Sequence, residues 1–316
     1  MEVGKVTVEL EALDTLRLPE FKGSTFRGAL GRMLKQMSCI RRDRDCTCCS
    51  ISQACSYTYL FETGRYFGKE GLKAAGGVPQ PFVLEPPIEE LKLYPAGSRI
   101  SFGLVLIGKG VDYLPYFLAV FERMGESGMG KGRGRFQLFR VADGIANTTV
   151  YEQEKGAVNS RLAVVSHRDW AEIGSESADR TASTCLVRLL TPLRLKQEGS
   201  LSRSLNFELL IRAILRRLVY LNQFFGTEEL KLDFRSLLAQ AREVRTESEQ
   251  LQWRDWERYS SRTDRKMKLG GLIGELRFQG EIQPFRRLLE FGELVHIGKN
   301  STFGLGKYRC NFEMEE

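Results

Sequence analysis

Apolar and polar residues alternate over 5–13, a period of two that predicts a strand with one buried face. The period then changes. Phe26, Leu30, Met33, Leu34 and Met37 recur three to four apart, so 23–37 is predicted as a helix with one apolar face. Apolar runs at 82–84 and 100–107 predict two further strands, 113–124 a helix and 136–141 a closing strand. After a stretch at 143–179 with turn residues and little periodicity, the order recurs. Residues 184–195 predict a strand, 205–225 a strongly amphipathic helix, 272–282 strand material and 284–291 a second helix, before a glycine-rich loop and a last strand. An acidic and aromatic insertion at 234–259 is predicted to be helical in its early part. The expected fold is therefore α+β: two tandem ferredoxin-like (RRM-like) βαββαβ domains. Their expected extents are 1–145, carrying a cysteine-rich insertion at 39–55, and 180–316, carrying the glycine-rich loop at 298–306, with 146–179 as the junction.

The two loops that precede closing strands have similar chemistry. In the second, His296-Ile297-Gly298-Lys299-Asn300-Ser301-Thr302-Phe303-Gly304-Leu305-Gly306-Lys307 sets three glycines among two lysines. Glycine accepts positive φ and lets bare N–H groups approach a ligand, successive N–H groups form an anion-binding nest, and the lysines add charge. The first loop, 125–136, interleaves glycines with Lys131, Arg133 and Arg135. Both suit a polyanion, and both are also compatible with a tight glycine turn before a strand.

Composition narrows the class. At 316 residues, 42% hydrophobic and 28% charged, the chain is long enough for two globular domains. A net charge of +7 is a modest excess compatible with nucleic acid, an anionic surface or acidic partners. The start MEVGKVTVELEAL has no secretion-signal pattern, and apolar runs such as 100–107 fall far short of the ~20 residues that span a bilayer. The expectation is a cytoplasmic protein without a membrane partner. Seven cysteines, an odd count, argue against a disulfide framework.

Cys39, Cys46, Cys48, Cys49 and Cys55 fall within seventeen residues. Cys39, Cys46, Cys49 and Cys55 are read as ligands of one structural zinc ion, although Cys46-x-Cys48 offers a second register; an iron–sulfur cluster fits the same ligand count but is the less favoured occupant, and ordinary reduced thiols are the alternative. No open coordination position for catalysis is implied. His296 is one of two histidines and lies beside the glycine loop, as a phosphate neighbour or as a support for the loop; His167 falls in the junction. The stretch 253–268 interleaves Trp253, Trp256 and Tyr259 with Arg254, Arg258, Arg262, Lys266 and Lys268, a pattern that stacks unpaired bases or packs on a sheet. No P-loop, paired-carboxylate metal motif or G-x-S-x-G elbow is evident.

Five segments carry a family resemblance: Gly23-Ser24-Thr25-Phe26-Arg27-Gly28-Ala29-Leu30-Gly31, the cysteine cluster running into Cys55 to Glu62, Pro81-Phe82-Val83-Leu84-Glu85-Pro86-Pro87, Arg258-Tyr259-Ser260-Ser261-Arg262, and above all His296 to Tyr308. Over nearly its whole length the chain resembles the RAMP superfamily, specifically the CRISPR-associated endoribonucleases that cut precursor CRISPR RNA within its repeats. The resemblance implies metal-independent cleavage: a 2′-hydroxyl attacks the adjacent phosphate, leaving a 2′,3′-cyclic phosphate and a 5′-hydroxyl. Many members place a catalytic histidine after the first helix, where this chain has its cysteines and no histidine.

Catalysis is therefore expected at His296 as acid or base, assisted by Tyr259 or Lys299, with Lys266 or Lys268 steadying phosphate charge. RNA contacts are expected at Gly298, Asn300, Ser301, Thr302, Gly304, Gly306, Lys307, Lys131, Arg133, Arg135, Arg258 and Arg262. Partners would be CRISPR repeat RNA and other CRISPR effector subunits, with no small-molecule cofactor and no catalytic metal. Two other readings stand beside this one: a non-catalytic RNA-binding subunit of a RAMP-type effector complex, and a zinc-stabilised protein-interaction scaffold.

Overall fold

The computed structural model describes all residues except 42, 44, 69–76, 158–160, 167–181, 198, 261–264 and 315–316; side chains are further left aside at 157, 257–260, 265–268 and 314. The chain divides into two compact units, 1–165 with 223–226, and 166–222 with 227–316. Among the described residues no helix is long and apolar enough to cross a membrane.

In the first unit the order is β1 (Glu2–Ala12), α1 (Gly23–Ser38), β2 (Phe82–Glu85), β3 (Arg99–Ile107), α2 (Leu114–Ser127) and β4 (Phe136–Asp143). The sheet runs β2-β3-β1-β4, every neighbouring pair antiparallel, so the chain's first strand lies between the third and the fourth. Alternation makes this possible: Val6, Val8 and Leu10 of β1 are fully buried while the residues between them are partly exposed. Both helices cover one face. Phe102 of β3 meets Phe26 of α1 edge-on at 5.0 Å and Phe121 of α2 at 5.3 Å, and such aromatic pairs add about 1 kcal/mol each beyond burial. Within the expected junction, β5 (Thr149–Glu152) extends this sheet beyond β4, and Val164–Ser166 pairs with β1.

In the second unit the order is β6 (Ala182–Leu193), α3 (Phe207–Phe225, whose last turn counts with the first unit), α4 (Phe234–Glu243), β7 (Arg245–Arg254), β8 (Glu257–Ser260), β9 (Arg265–Lys268), β10 (Gly271–Gln279), α5 (Arg286–Val295) and β11 (Tyr308–Met314). Its sheet runs β7-β10-β6-β11, again antiparallel throughout. Phe207 anchors α3 by edge contacts with Phe278 of β10 and Phe285, both at 5.1 Å. Tyr308 of β11 is fully buried, and its hydroxyl donates to the Leu289 carbonyl of α5 at 2.7 Å. Gly292 makes that approach possible, since a Cβ there would lie 2.3 Å from the Tyr308 hydroxyl.

One expectation is corrected here. Residues 245–254, read as part of an insertion, form an edge strand; most of that strand is exposed on both faces, so its sequence carries no apolar alternation. Pro284 lies in a 3-10 turn, Gln283–Phe285, that leads directly into the helix expected at 284–291, whose regular part runs Arg286–Val295.

Candidate functional site

The glycine-rich loop connects α5 to β11 and is stapled to the end of β6. His296 follows α5 with φ 55° and is fully buried. Its Nδ1 stands 3.2 Å from the Leu305 carbonyl, and a carbonyl only accepts, so Nδ1 carries the proton. From there the Lys299 N–H donates to the Arg194 carbonyl at 3.0 Å and the Gly306 N–H to the Pro192 carbonyl at 3.2 Å. Thr191, buried in β6, closes the far side: its hydroxyl donates to the Gly304 carbonyl at 2.8 Å and accepts the Lys307 N–H at 2.9 Å. Gly298 and Gly306 both have positive φ, 82° and 69°, and a Cβ would stand 2.7 Å from the Arg194 carbonyl oxygen and 1.8 Å from that of Ile297.

Only part of the loop's backbone N–H set is available for the expected nest. The N–H groups of Lys299, Phe303, Gly304, Gly306 and Lys307 all donate within the loop or to the β6 end, and Gly304 and Gly306 are buried. The N–H groups of Asn300, Ser301 and Thr302, at the start of the 3-10 turn Ser301–Phe303, have no acceptor among the described residues, and neither do those of Gly298 and Leu305. Asn300 is left-handed, φ 63°, and the turn after it is right-handed, which aims successive N–H groups to one side.

Positive charge collects at this turn. Lys299 is exposed, and burial of its ammonium followed by the nearby cations of Lys196, Arg194 and Arg216 hold its pKa below the ordinary lysine value. Arg194 donates from Nη1 to the Gly270 carbonyl at 2.7 Å, which fixes it beside the loop. Arg217 donates from Nη2 to the Val295 carbonyl at 3.3 Å, placing a cation at the C-terminal end of α5. Lys196 and Arg216 are exposed and have no carboxylate partner among the described residues. Arg194, Lys196 and Thr191 were missed by sequence reading: they lie about a hundred residues before the loop, and nothing in a Thr-Pro-Leu-Arg-Leu-Lys run marks a partner so distant.

The hairpin β8–β9 leaves the same sheet. Its backbone pairs Tyr259 with Lys266 and Glu257 with Lys268, so the candidate tyrosine and lysine are cross-strand neighbours. The side chains of Arg258, Tyr259, Lys266 and Lys268 lie outside the described residues, as do Arg262 and His167 entirely. At the hairpin's base Trp253 donates from Nε1 to Asp255 at 3.0 Å and lies under the Arg203 guanidinium at 5.0 Å.

In the first unit, the loop with Lys131, Arg133 and Arg135 folds back on residues 13–17. Arg135 pairs with Asp14 at 2.8 Å, and its hydrogen bonds hold that carboxyl below its usual range, so this guanidinium is already neutralised. Lys131 anchors its N–H on the Arg17 carbonyl at 2.9 Å, leaving its side chain and that of Arg133 exposed. Cys39, Cys46, Cys49 and Cys55 form no disulfide, and burial raises the Cys46 pKa. Among the described residues no three His, Cys, Asp or Glu stand close enough together to hold a metal ion.

Comparison with known proteins matches both halves of the chain. The AF_1859_N model, an N-terminal domain, matches residues 1–163, just over half of the chain, and the model of the CRISPR-associated endoribonuclease Cas6 matches 187–308. An uncharacterized protein of Archaeoglobus fulgidus is 24% identical over 299 residues, 92% of each chain. Among solved structures, a partial Cas6-RT-Cas1–Cas2 complex is similar at a TM-score of 0.62 and 14% identity over 99% of this chain and 46% of that one, so this chain spans about half its length. A Cas6 product complex is similar at 0.59 and 14% identity, over 98% of this chain and all of that one, and Thermus thermophilus Cas6 at 0.53 and 14% identity, over 98% of each. At such identity the structures establish the fold, a mixed α+β chain with antiparallel sheets. By the family model, residues 187–308 belong to the Cas6 family of CRISPR-associated endoribonucleases, and the fold of the chain is similar to that of solved Cas6 structures.

Proposed function

We propose that the chain binds CRISPR repeat RNA on two ferredoxin-like domains in tandem and cleaves it once, without metal, at the glycine-rich turn of the second. The observation that carries this is the conjunction of free N–H groups at Asn300, Ser301 and Thr302 with the exposed cations of Lys196, Arg216 and Lys299. Such a site suits a phosphate whose negative charge grows during the reaction. In the cleavage step a base removes the 2′-hydroxyl proton, the 2′-oxygen bonds to phosphorus, the bond to the 5′-oxygen breaks, and an acid protonates that oxygen. The products are a 2′,3′-cyclic phosphate and a 5′-hydroxyl.

Lys299 is assigned to the phosphate, and Tyr259 and Lys266, opposite each other in the hairpin, to proton transfer, with Lys268 as a further cation. His296 is assigned to loop support rather than to acid–base chemistry, since a side chain with no exposed atom does not reach RNA bound outside. The same burial favours the second reading, an RNA-binding subunit of a CRISPR complex that does not cut. A structural zinc at Cys39, Cys46, Cys49 and Cys55 rests on the donor set alone.

The test is repeat-RNA binding measured across a salt series. Several phosphate contacts give a steep loss of affinity, and replacing Lys196 and Lys299 together by alanine lowers the log–log slope by about 1.4, at ~0.7 per single-strand phosphate contact. A slope unchanged by that double substitution refutes the placement of phosphate at this turn.

A further inference from the structure

At Lys196, whose ammonium neighbours that of Lys299, opens a cavity of about 550 Å³, within the ~300–1,000 Å³ typical of small-ligand sites. It is lined by Lys196, Gln197, Asn206, Arg212, Thr246 and Glu249, among others. Its outer wall depends on an irregularity of β7. The register against β10 shifts between Thr246 and Ser248, so that Thr246 opposes Phe278 and Glu249 opposes Leu276. Residues three apart on a regular strand face opposite ways; the extra residue, Glu247, brings Thr246 and Glu249 to the same face. That is the face of the buried Phe278 and Leu276, where α3 begins.

The charges in this cavity are unevenly satisfied. Arg212 is paired with Glu208 at 2.5 Å, and Glu208 also receives Arg242 at 3.2 Å. Glu249 has no cation partner and Lys196 no carboxylate partner among the described residues. Asn206 uses its Oδ1 to accept the Leu209 N–H at 2.8 Å, which leaves its amide nitrogen as a donor. A ligand complementary to this lining carries an anion for Lys196, a pair of adjacent donors for the Glu249 carboxylate, and an acceptor for an amide N–H.

Among the four bases only guanine presents two neighbouring donors, N1–H and the N2 amino group, beside an acceptor, O6. Adenine and cytosine set one amino donor next to a ring acceptor that a carboxylate repels, and uracil sets a single N–H between two carbonyls. We infer that this cavity receives one unpaired guanine of the bound RNA, its Watson–Crick edge on Glu249 and its phosphate on Lys196, next to the phosphate held at the glycine turn. The inference rests on the RNA-binding reading above and gives it a base preference.

Fluorescein-labelled RNA octamers titrated into the full-length protein test it: one of uridine only, one with a single central guanine, and one with inosine at that position. The guanine octamer is expected to bind about tenfold tighter than the uridine octamer, the scale of one bidentate base contact, with inosine between them because it lacks the N2 amino group. Glu249→Gln, an exposed and nearly isosteric change, is expected to bring the guanine and uridine octamers to the same affinity. Equal binding of the octamers by the unsubstituted protein, or a guanine preference that survives Glu249→Gln, overturns the cavity assignment while leaving phosphate binding in place. Failure of every octamer to bind overturns both.

Discussion

Replacing Gly306 by alanine probes the loop's construction most sharply. At φ 69° an L-residue is strained by about 1 kcal/mol. The new methyl would also stand 1.8 Å from the Ile297 carbonyl oxygen, a backbone atom that cannot rotate away. Relieving that overlap separates the chains and breaks two hydrogen bonds, Ile297 N–H to the Gly306 carbonyl and Gly306 N–H to the Pro192 carbonyl, both 3.2 Å, at about 1 kcal/mol each. The total is about 3 kcal/mol. Gly199 is the control within the same unit: its φ is 87°, and a Cβ there meets nothing within 4 Å, so alanine adds only the ~1 kcal/mol of strain. Equilibrium unfolding in urea, followed by far-UV circular dichroism, measures both, and repeat-RNA affinity should fall only for Gly306→Ala. Destabilisation by the two variants within about 0.5 kcal/mol of each other would refute the reasoning.

Other consequences can be checked separately. Thr191→Val strands the Gly304 carbonyl and the Lys307 N–H, so it should lose about 2 kcal/mol of stability and weaken RNA binding, by denaturant titration and filter binding respectively. In the proposed site Lys299 acts on phosphate as a cation, and its lowered pKa means that the charge is lost at a lower pH than for an ordinary lysine, ~10.4. Affinity should therefore fall as pH rises towards that value, and Lys299→Arg should remove the fall; an unchanged alkaline limb contradicts the assignment. His296→Ala should lower the melting temperature, and the pH–rate profile of the unsubstituted protein should lack a limb near the histidine value of ~6.5. Metal analysis of protein purified without chelator tests the cysteines: less than about one-tenth equivalent of zinc ends that proposal.

Much of the fold is legible because burial writes itself into the sequence. Val6, Val8 and Leu10 alternate because one face of β1 meets helices, and 205–225 is periodic because α3 lies on a sheet. The edge strand Arg245–Arg254 was hidden for the complementary reason: with little to bury, its residues are set by solvent and by pairing with β10, and they resemble a polar loop. Expected bounds differ at helix ends, where a tighter turn such as Gln283–Phe285 precedes the regular helix.

At the site, the glycine and lysine content of 298–307 is legible in the sequence, but not which of the loop's N–H groups remain available. That is decided by Thr191, Pro192 and Arg194, which bind the loop from another strand. Nor does sequence distinguish the inside of a turn from its outside. His296 stands close in sequence to the exposed Lys299 and points inward in space, because φ 55° turns the chain at that residue.

The central claim is metal-independent cleavage of repeat RNA, and one measurement addresses it directly: single-turnover incubation with end-labelled repeat RNA in EDTA, beside a copy carrying 2′-deoxyribose at the mapped cut. A single cut that the deoxy substitution abolishes, with a 2′,3′-cyclic phosphate on the upstream product, is the predicted result. Tight, salt-sensitive binding with no cut, or a cut that persists in the deoxy copy, would contradict it.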